Sequence, residues 1–184
     1  MRFLLRILLM TMMSCILISG CTLSEKLVTR QLLKKMIGST VVIPEKVTCI
    51  QEGNAFPMPE ELRNKTKLIV FIDSTDCSKC RIDKLVHYSE MFTLSKETDA
   101  FEIMILLSTP KSEYREIYEH LLYSESRYPI YMDDDNAFRR INPSIPDKLT
   151  FHTVTVNENN EIILVGDPVY NEKIMDLFNK TLGI

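Results

Sequence analysis

The chain has no tryptophan, only five glycines and no excess of basic charge. Lys and Arg total 22 residues against 25 Asp and Glu, which gives a net charge of -3 at pH 7. Because affinity for nucleic acid depends on a positively charged surface, this balance excludes nucleic acid as an expected partner. A length of 184 residues allows one ordinary domain with a single sizeable core.

The apolar run near the N-terminus is too short to span a membrane. It covers residues 7–18, follows Arg2 and Arg6, and contains no acidic residue. This anatomy is typical of a secretory signal peptide. The run closes with the sequence ISGC, which ends at Cys21 and resembles the lipobox of bacterial lipoproteins. The resemblance implies that Cys21 is lipidated and begins the mature chain, and a plain secretory signal with an incidental cysteine is the alternative.

This interpretation divides the chain into three parts. Residues 1–20 are the predicted lipoprotein signal peptide, 21–37 a tether or spacer, and 38–184 the folded domain. The tether is basic and amphipathic, and it either spaces the domain from the membrane or rests on the membrane surface. The expected location is the bacterial cell envelope, lipid-anchored and facing the periplasm, with the choice between inner and outer membrane left open.

A pair of cysteines follows a run that is typical of a buried strand. Leu68–Asp73 is apolar and β-branched. Three residues separate it from Cys77-Ser78-Lys79-Cys80, which precedes a helix-like stretch. A thiolate at the first turn of a helix is stabilised by unpaired backbone N–H groups and by the helix dipole. The spacing therefore makes Cys77 the candidate nucleophile and Cys80, one turn later, the candidate resolving thiol.

Other interpretations of the pair stay open at this point. A C-x-x-C pair is half of a four-ligand zinc site, but Cys49 and the three histidines are not at ligand spacing, so neither a metal nor a cofactor is predicted. A structural disulfide that never turns over also suits an oxidising compartment. Asp76 opposes thiolate formation at Cys77 whereas Lys79 favours it. Cys49 itself lies in an alternating stretch and is predicted to be inert core.

The remaining pattern predicts alternating strands and helices, closed by a hairpin and a last helix. The acidic triplet Asp133-Asp134-Asp135 is predicted to be a solvated, helix-capping turn. Asn171 is predicted to cap the last helix. Strands are predicted over residues 40–43, 68–73, 101–108, 128–132, 153–156 and 161–165, and helices over about 77–94, 112–123 and 136–141.

This order of elements resembles the thioredoxin fold of the membrane-tethered TlpA-like and ResA-like thiol-disulfide oxidoreductases. The resemblance is carried by the C-S-K-C sequence after its strand, by the strand-like Gly38–Pro44, and by the hairpin Val154–Asp167. It implies an α/β three-layer sandwich with a mixed central sheet, a C-terminal β-hairpin and a closing helix. It also implies that Cys77 attacks and Cys80 resolves, on envelope proteins with disulfides or thiols, with a membrane or periplasmic electron donor.

Two positions depart from that family. Asp76 stands where an aromatic residue usually precedes the first cysteine. Residues 149–153 contain no proline, Pro146 lies several residues too early, and Phe151 and His152 are the candidates for the place opposite Cys77. A His152 near the dithiol would exchange a proton with Cys80, and a surface or capping histidine is the alternative. These departures keep open a second function, a non-catalytic thioredoxin-like binding lipoprotein with a structural disulfide.

Overall fold

The computed structural model describes residues 25–73, 82–123 and 126–184. Residues 36–184 form one compact unit, and the described residues 25–35 belong to a separate one. The first helix, α1, covers residues 25–36. None of the helices in the described ranges is long and apolar enough to cross a bilayer.

The described part of the domain is built on one seven-stranded mixed sheet. Its order is β2-β1-β5-β4-β3-β6-β7, with β3, β4 and β5 parallel and the other pairs antiparallel. The strands are β1 (Val47–Gln51), β2 (Asn54–Pro57), β3 (Lys67–Ile72), β4 (Glu102–Leu107), β5 (Ile130–Asp133), β6 (Thr153–Val156) and β7 (Ile162–Val165).

In the described part of the domain, four further α-helices and three short 3-10 helices lie between or after these strands. The α-helices are α2 (Ser89–Thr98), α3 (Tyr114–Tyr123), α4 (Phe138–Ile141) and α5 (Glu172–Leu182), and the 3-10 helices are Glu60–Asn64, Asp83–Tyr88 and Leu149–Phe151. Asn171 begins α5, because its side chain accepts hydrogen bonds from the backbone of Lys173 at 3.1 Å and Ile174 at 3.2 Å.

The central strands are apolar because helices cover both faces of the sheet. Every residue of β3 is buried, as is typical of strands in the middle of an α/β sheet. On one face Phe101 meets Phe178 of α5 edge to face, with ring centroids 4.8 Å apart. The predicted strands over 68–73, 101–108, 128–132 and the hairpin are therefore confirmed, with shifts of one or two residues at their ends.

The predicted strand over residues 40–43 is wrong. Thr40 makes only an isolated bridge to Glu161, and the backbone N–H of Val41 donates to the carbonyl of Asn160 at 2.8 Å. Val42, the next residue, is held by a side chain rather than by a partner strand. The amide of Asn142 accepts from the backbone N–H of Val42 at 2.7 Å and donates to its carbonyl at 2.8 Å. Because this amide satisfies both backbone groups, Val42 needs no neighbouring strand.

The helix predicted over about 77–94 is described only from residue 82. Its described part includes the 3-10 helix Asp83–Tyr88 and continues as α2 to Thr98, four residues beyond the predicted end. The helix ends where Asp99 adopts a left-handed conformation, with φ of 50°.

A buried lysine begins the central strand, and its burial is expected to make the stability of the fold depend on pH. Lys67 is fully buried, and its Nζ donates to the carbonyls of Arg63 and Lys65 and to the Asn160 side chain at 2.7–3.0 Å. Burial lowers the pKa of Lys67 to about 8. Between that value and its ordinary pKa the unfolded chain binds more protons, so this group makes stability rise with pH.

Relative to Lys67→Met, we therefore expect the free energy of unfolding of the natural protein to increase by about 2 kcal/mol between pH 7.5 and pH 10. Urea denaturation of both proteins at the two pH values measures this difference. The exposed Lys65 supplies a matched control. Relative to Lys65→Met, the free energy of unfolding of the natural protein should show no such increase, because both proteins keep Lys67. A pH-independent difference for Lys67→Met would contradict the burial of a titrating amine.

Candidate functional site

The carboxyl ends of the parallel strands β3, β4 and β5 meet at one edge of the sheet, where ligands gather in open α/β folds. A polar residue lies at each of these strand ends, although these positions are buried. Asp73 follows β3, Ser108 follows β4 and Asp133 ends β5, and all three are at most 3% exposed. We call these residues, together with Arg139 and His152, the carboxyl-edge cluster.

An ion pair ties the end of β3 to α4. The Arg139 guanidinium contacts the buried carboxylate of Asp73 on one side and the exposed carboxylate of Asp147 on the other. The hydrogen bond and the charge of Arg139 hold the pKa of Asp147 below its usual value. Phe138, beside Arg139 on α4, packs on Phe71 of β3 with ring centroids 4.6 Å apart. Aromatic packing and the ion pair thus fix α4 against the same strand end.

The acidic triplet is only partly as predicted. Asp133 is 1% exposed, so the prediction of a solvated residue is wrong there. The predicted capping is confirmed, because its Oδ2 accepts from the backbone N–H of Phe138, at the start of α4, at 2.8 Å and from the hydroxyl of Ser108 at 3.1 Å. Asp134 accepts from Tyr114 at 2.7 Å, and only Asp135 of the triplet is exposed. Within the described ranges no three His, Cys, Asp or Glu side chains are placed to hold a metal ion.

Phe151 and His152 lie beside the last residues of β3. The backbone N–H of Phe71 donates to the carbonyl of His152 at 2.9 Å. The centroids of the Phe71 and His152 rings lie 5.3 Å apart. His152 ends the 3-10 helix Leu149–Phe151, so the capping interpretation is confirmed. It is only 3% exposed, so the interpretation of His152 as a surface residue is wrong. Proton exchange between His152 and Cys80 stays a prediction.

Five predicted site residues lie outside the described ranges: Cys21, Asp76, Cys77, Lys79 and Cys80. What the structure places is the strand that leads to the dithiol, since β3 ends at Ile72 and the buried Asp73 follows. Sequence reasoning missed Asp73 and Arg139 as members of the site. A carboxylate at the end of an apolar run was a usable signal for Asp73, but no local pattern connects it to an arginine 66 residues later.

Cys49 is a core residue, as predicted. It lies in β1, is 1% exposed, and burial raises its thiol pKa to about 11. The nucleophile in thiol chemistry is the thiolate, so a raised pKa makes this cysteine unreactive at neutral pH.

We therefore expect Cys49 to resist alkylation by iodoacetamide in the folded protein, at a rate at least about 100-fold below that of an exposed thiol. After unfolding in urea it should react at the ordinary rate, because both the burial and the raised pKa are lost. Mass spectrometry of peptides from native and unfolded samples measures both rates. Fast labelling of Cys49 in the native protein would contradict its burial in β1.

Comparison with known proteins supports the fold through structure alone. No family model and no curated protein matches the sequence. A protein from Bacteroides vulgatus assigned as a thiol-disulfide oxidoreductase superposes with a TM-score of 0.53 at 16% identity, over 80% of this chain and 98% of its own. Chlorobium tepidum DsbE, assigned as a thiol:disulfide interchange protein, gives 0.51 at 13% identity, over 79% and 99%.

A third structure with a similar fold is AhpC from Enterococcus faecalis, with a TM-score of 0.52 at 13% identity, over 80% of this chain and 91% of its own. The sheet order of this chain, with three parallel strands, an antiparallel C-terminal hairpin and a closing helix, is consistent with these likenesses. The α/β three-layer architecture expected from the sequence is confirmed, and the domain has a thioredoxin-like fold.

Proposed function

We propose that the protein is a thiol-disulfide oxidoreductase of the bacterial envelope that reduces or exchanges disulfides through Cys77 and Cys80. The observation that carries the proposal is the place of the C-x-x-C pair in the chain of a thioredoxin-like fold. Asp73 follows the carboxyl end of the central strand β3, and Cys77 comes four residues later in the sequence. Reactive groups and ligands of α/β folds concentrate at this edge. The likeness to solved structures supports the fold, and the two cysteines supply the chemistry.

The reaction is a pair of thiol-disulfide exchanges and needs no cofactor. The Cys77 thiolate attacks a disulfide of an envelope protein, forming a mixed disulfide while the other partner sulfur leaves as a thiolate. Cys80 then attacks the Cys77 sulfur and expels the second partner thiol. The partner has gained two electrons, and the Cys77–Cys80 disulfide is reduced again by a membrane or periplasmic electron donor.

Two described features support the proposed chemistry at Cys77 and Cys80. Cys49 is removed from thiol chemistry by its burial and by a pKa raised to about 11, which leaves the C-x-x-C pair as the dithiol of the domain. The carbonyl of His152 accepts a hydrogen bond from the backbone N–H of Phe71, the second-to-last residue of the strand that leads to Cys77. It is our candidate to exchange a proton with Cys80, because a histidine titrates close to neutral pH.

A disulfide-reduction assay tests the proposal. With oxidised glutathione or insulin as the substrate, we expect turnover by the natural protein and a loss of at least about 100-fold in Cys77→Ser, which lacks the nucleophile. Cys49→Ser is the matched control, since it also removes one thiol but should keep the activity. Equal activity of Cys77→Ser and the natural protein would overturn the proposal.

A second function is favoured by the loop before β6. No proline stands in residues 149–152, directly before β6, and Phe151, one of the two candidates for the family's docking position, is 2% exposed. A protein whose docking position is closed would serve as a thioredoxin-like binding lipoprotein, with Cys77 and Cys80 in a structural disulfide. Such a protein would show no turnover in the assay, and neither Cys77→Ser nor Cys80→Ser would form adducts with partners.

The proposed location rests on the sequence around Cys21. Lipidation of Cys21 would attach the domain to a membrane and keep it among the envelope proteins that it is proposed to act on. We expect Cys21→Ser to remain unlipidated and to move from the membrane fraction to the soluble fraction. Immunoblotting of the two fractions after a membrane wash measures this shift. Retention of Cys21→Ser in the membrane fraction at the level of the natural protein would contradict the lipobox.

A further inference from the structure

A groove runs between two parts of the chain. One is the segment Asp83–Thr98, and the other is the loop before α5 together with the first turns of α5. It consists of three adjoining clefts that share Met175, and two of them have volumes of about 420 and 410 Å³. The groove lies outside the carboxyl-edge cluster, and none of its described lining residues belongs to that cluster. The proposed thiol chemistry does not use it.

The floor and one wall of the groove are apolar. Met91 is buried, while Leu94, Val169 and Met175 are half-buried and face the clefts. Methionine side chains adapt to irregular partners, which is why they are frequent at binding surfaces.

Two large side chains stand exposed at the same groove. Val86 is 63% exposed and Tyr170 is 56% exposed. The Tyr170 ring stands edge-on to the rings of His87 and Tyr88, with centroids 6.0 and 6.3 Å apart, so neighbouring side chains hold it in place. Half-buried apolar side chains beside an exposed tyrosine are typical of a protein contact surface.

The polar residues of the groove carry one sign of charge. Its lining includes the carboxylates of Glu90, Glu97, Glu172 and Asp176, and no Lys or Arg is found among its described lining residues. In the described ranges none of these four carboxylates forms an ion pair with another residue of the chain. The described lining of the groove is therefore negatively charged, although Lys96, Lys173 and Lys180 lie on the same helices outside that lining. Such a lining favours a cationic partner.

We propose that this groove binds a cationic amphipathic segment of another protein, with apolar side chains on Met175 and Leu94 and with Lys or Arg at the carboxylates. A membrane surface is a poor occupant, because anionic lipid headgroups are repelled by the four carboxylates. The proposal goes beyond the proposed redox function, since it depends on no cysteine and gives the domain a second means of selecting partners.

A synthetic helical peptide of leucine and lysine, and a matched peptide with glutamate in place of lysine, test the proposal by fluorescence anisotropy. We expect the lysine peptide to bind, more weakly as salt increases, and the glutamate peptide not to bind. Glu90→Gln combined with Glu97→Gln should weaken binding about fivefold, because it removes two exposed charge pairs. Met175→Lys should weaken it more than tenfold, because it places a cation on the apolar floor.

Glu52→Gln combined with Glu158→Gln is the matched control, since it removes two exposed charges from turns remote in sequence from the groove. This variant should bind as the natural protein does, and so should Cys77→Ser combined with Cys80→Ser. The second comparison separates failure of this proposal from failure of the redox function. Equal binding of the two peptides, or binding unaffected by the groove variants, would overturn the proposal. Self-association that the groove variants abolish would also overturn it, since the occupant would then be a second copy.

Discussion

Replacing Cys80 by serine is expected to make envelope proteins accumulate as covalent adducts. The first exchange joins Cys77 to a partner sulfur, and the second exchange needs the Cys80 thiol to release that partner. Without Cys80 the cycle stops at the mixed disulfide, while the nucleophile at Cys77 remains intact. Non-reducing electrophoresis of envelope extracts should show adduct bands in Cys80→Ser that disappear on reduction.

The matched variant Cys77→Ser should trap at least about tenfold fewer adducts. A resolving thiol one turn into the helix is shielded and is further from the unpaired N–H groups at the helix start, so less of it is present as thiolate. The asymmetry between two variants that each lack one sulfur is the prediction. Equal trapping would contradict the assigned roles, and no adducts in either variant would favour the binding lipoprotein.

Replacing Phe138 by alanine is expected to destabilise the domain by about 3–5 kcal/mol. The Phe138 ring is 1% exposed and packs on Phe71 of the central strand, so its loss removes apolar contacts and leaves a cavity at the carboxyl edge. Because α4 also carries Arg139, the partner of Asp73, the same change loosens the ion pair at the end of β3. Urea denaturation gives the free energy of unfolding of both proteins.

Two controls make the Phe138 result specific. Phe138→Leu keeps most of the apolar volume and should cost less than half as much as Phe138→Ala. Tyr123, at the end of α3, is 84% exposed, so Tyr123→Ala should change stability by about 0.5 kcal/mol or less. A loss of stability in Phe138→Ala no larger than in Tyr123→Ala would contradict the packing of α4 on β3.

The elements that the sequence predicted well are those that local patterns determine. The apolar runs of β3 and β4 are buried on both faces, the hairpin turn contains a left-handed Asn160, and Asn171 caps α5 through its own side chain. Each of these features depends on residues that are neighbours in the chain, so periodicity and turn chemistry are enough to find them.

The errors and omissions arise where distant residues decide the structure. Val42 is held by the amide of Asn142, 100 residues later, and this contact replaces the expected strand. Asp133 begins a run of three aspartates that locally indicates solvent, yet Ser108 and the start of α4 enclose its carboxylate. Such long-range partners have no local pattern in a single sequence, so only the folded arrangement identifies them.

In the proposed function, Cys77 and Cys80 form a working dithiol rather than a structural bond. The reduction potential of the pair tests this most directly, by equilibration with glutathione or dithiothreitol buffers and quantification of the free thiols. Working exchange proteins range from about -270 mV for a reductant such as thioredoxin to about -120 mV for a strong oxidant. We predict a value within this range for the Cys77–Cys80 disulfide. A value below about -300 mV would contradict the account, because envelope thiols would then be unable to reduce the bond.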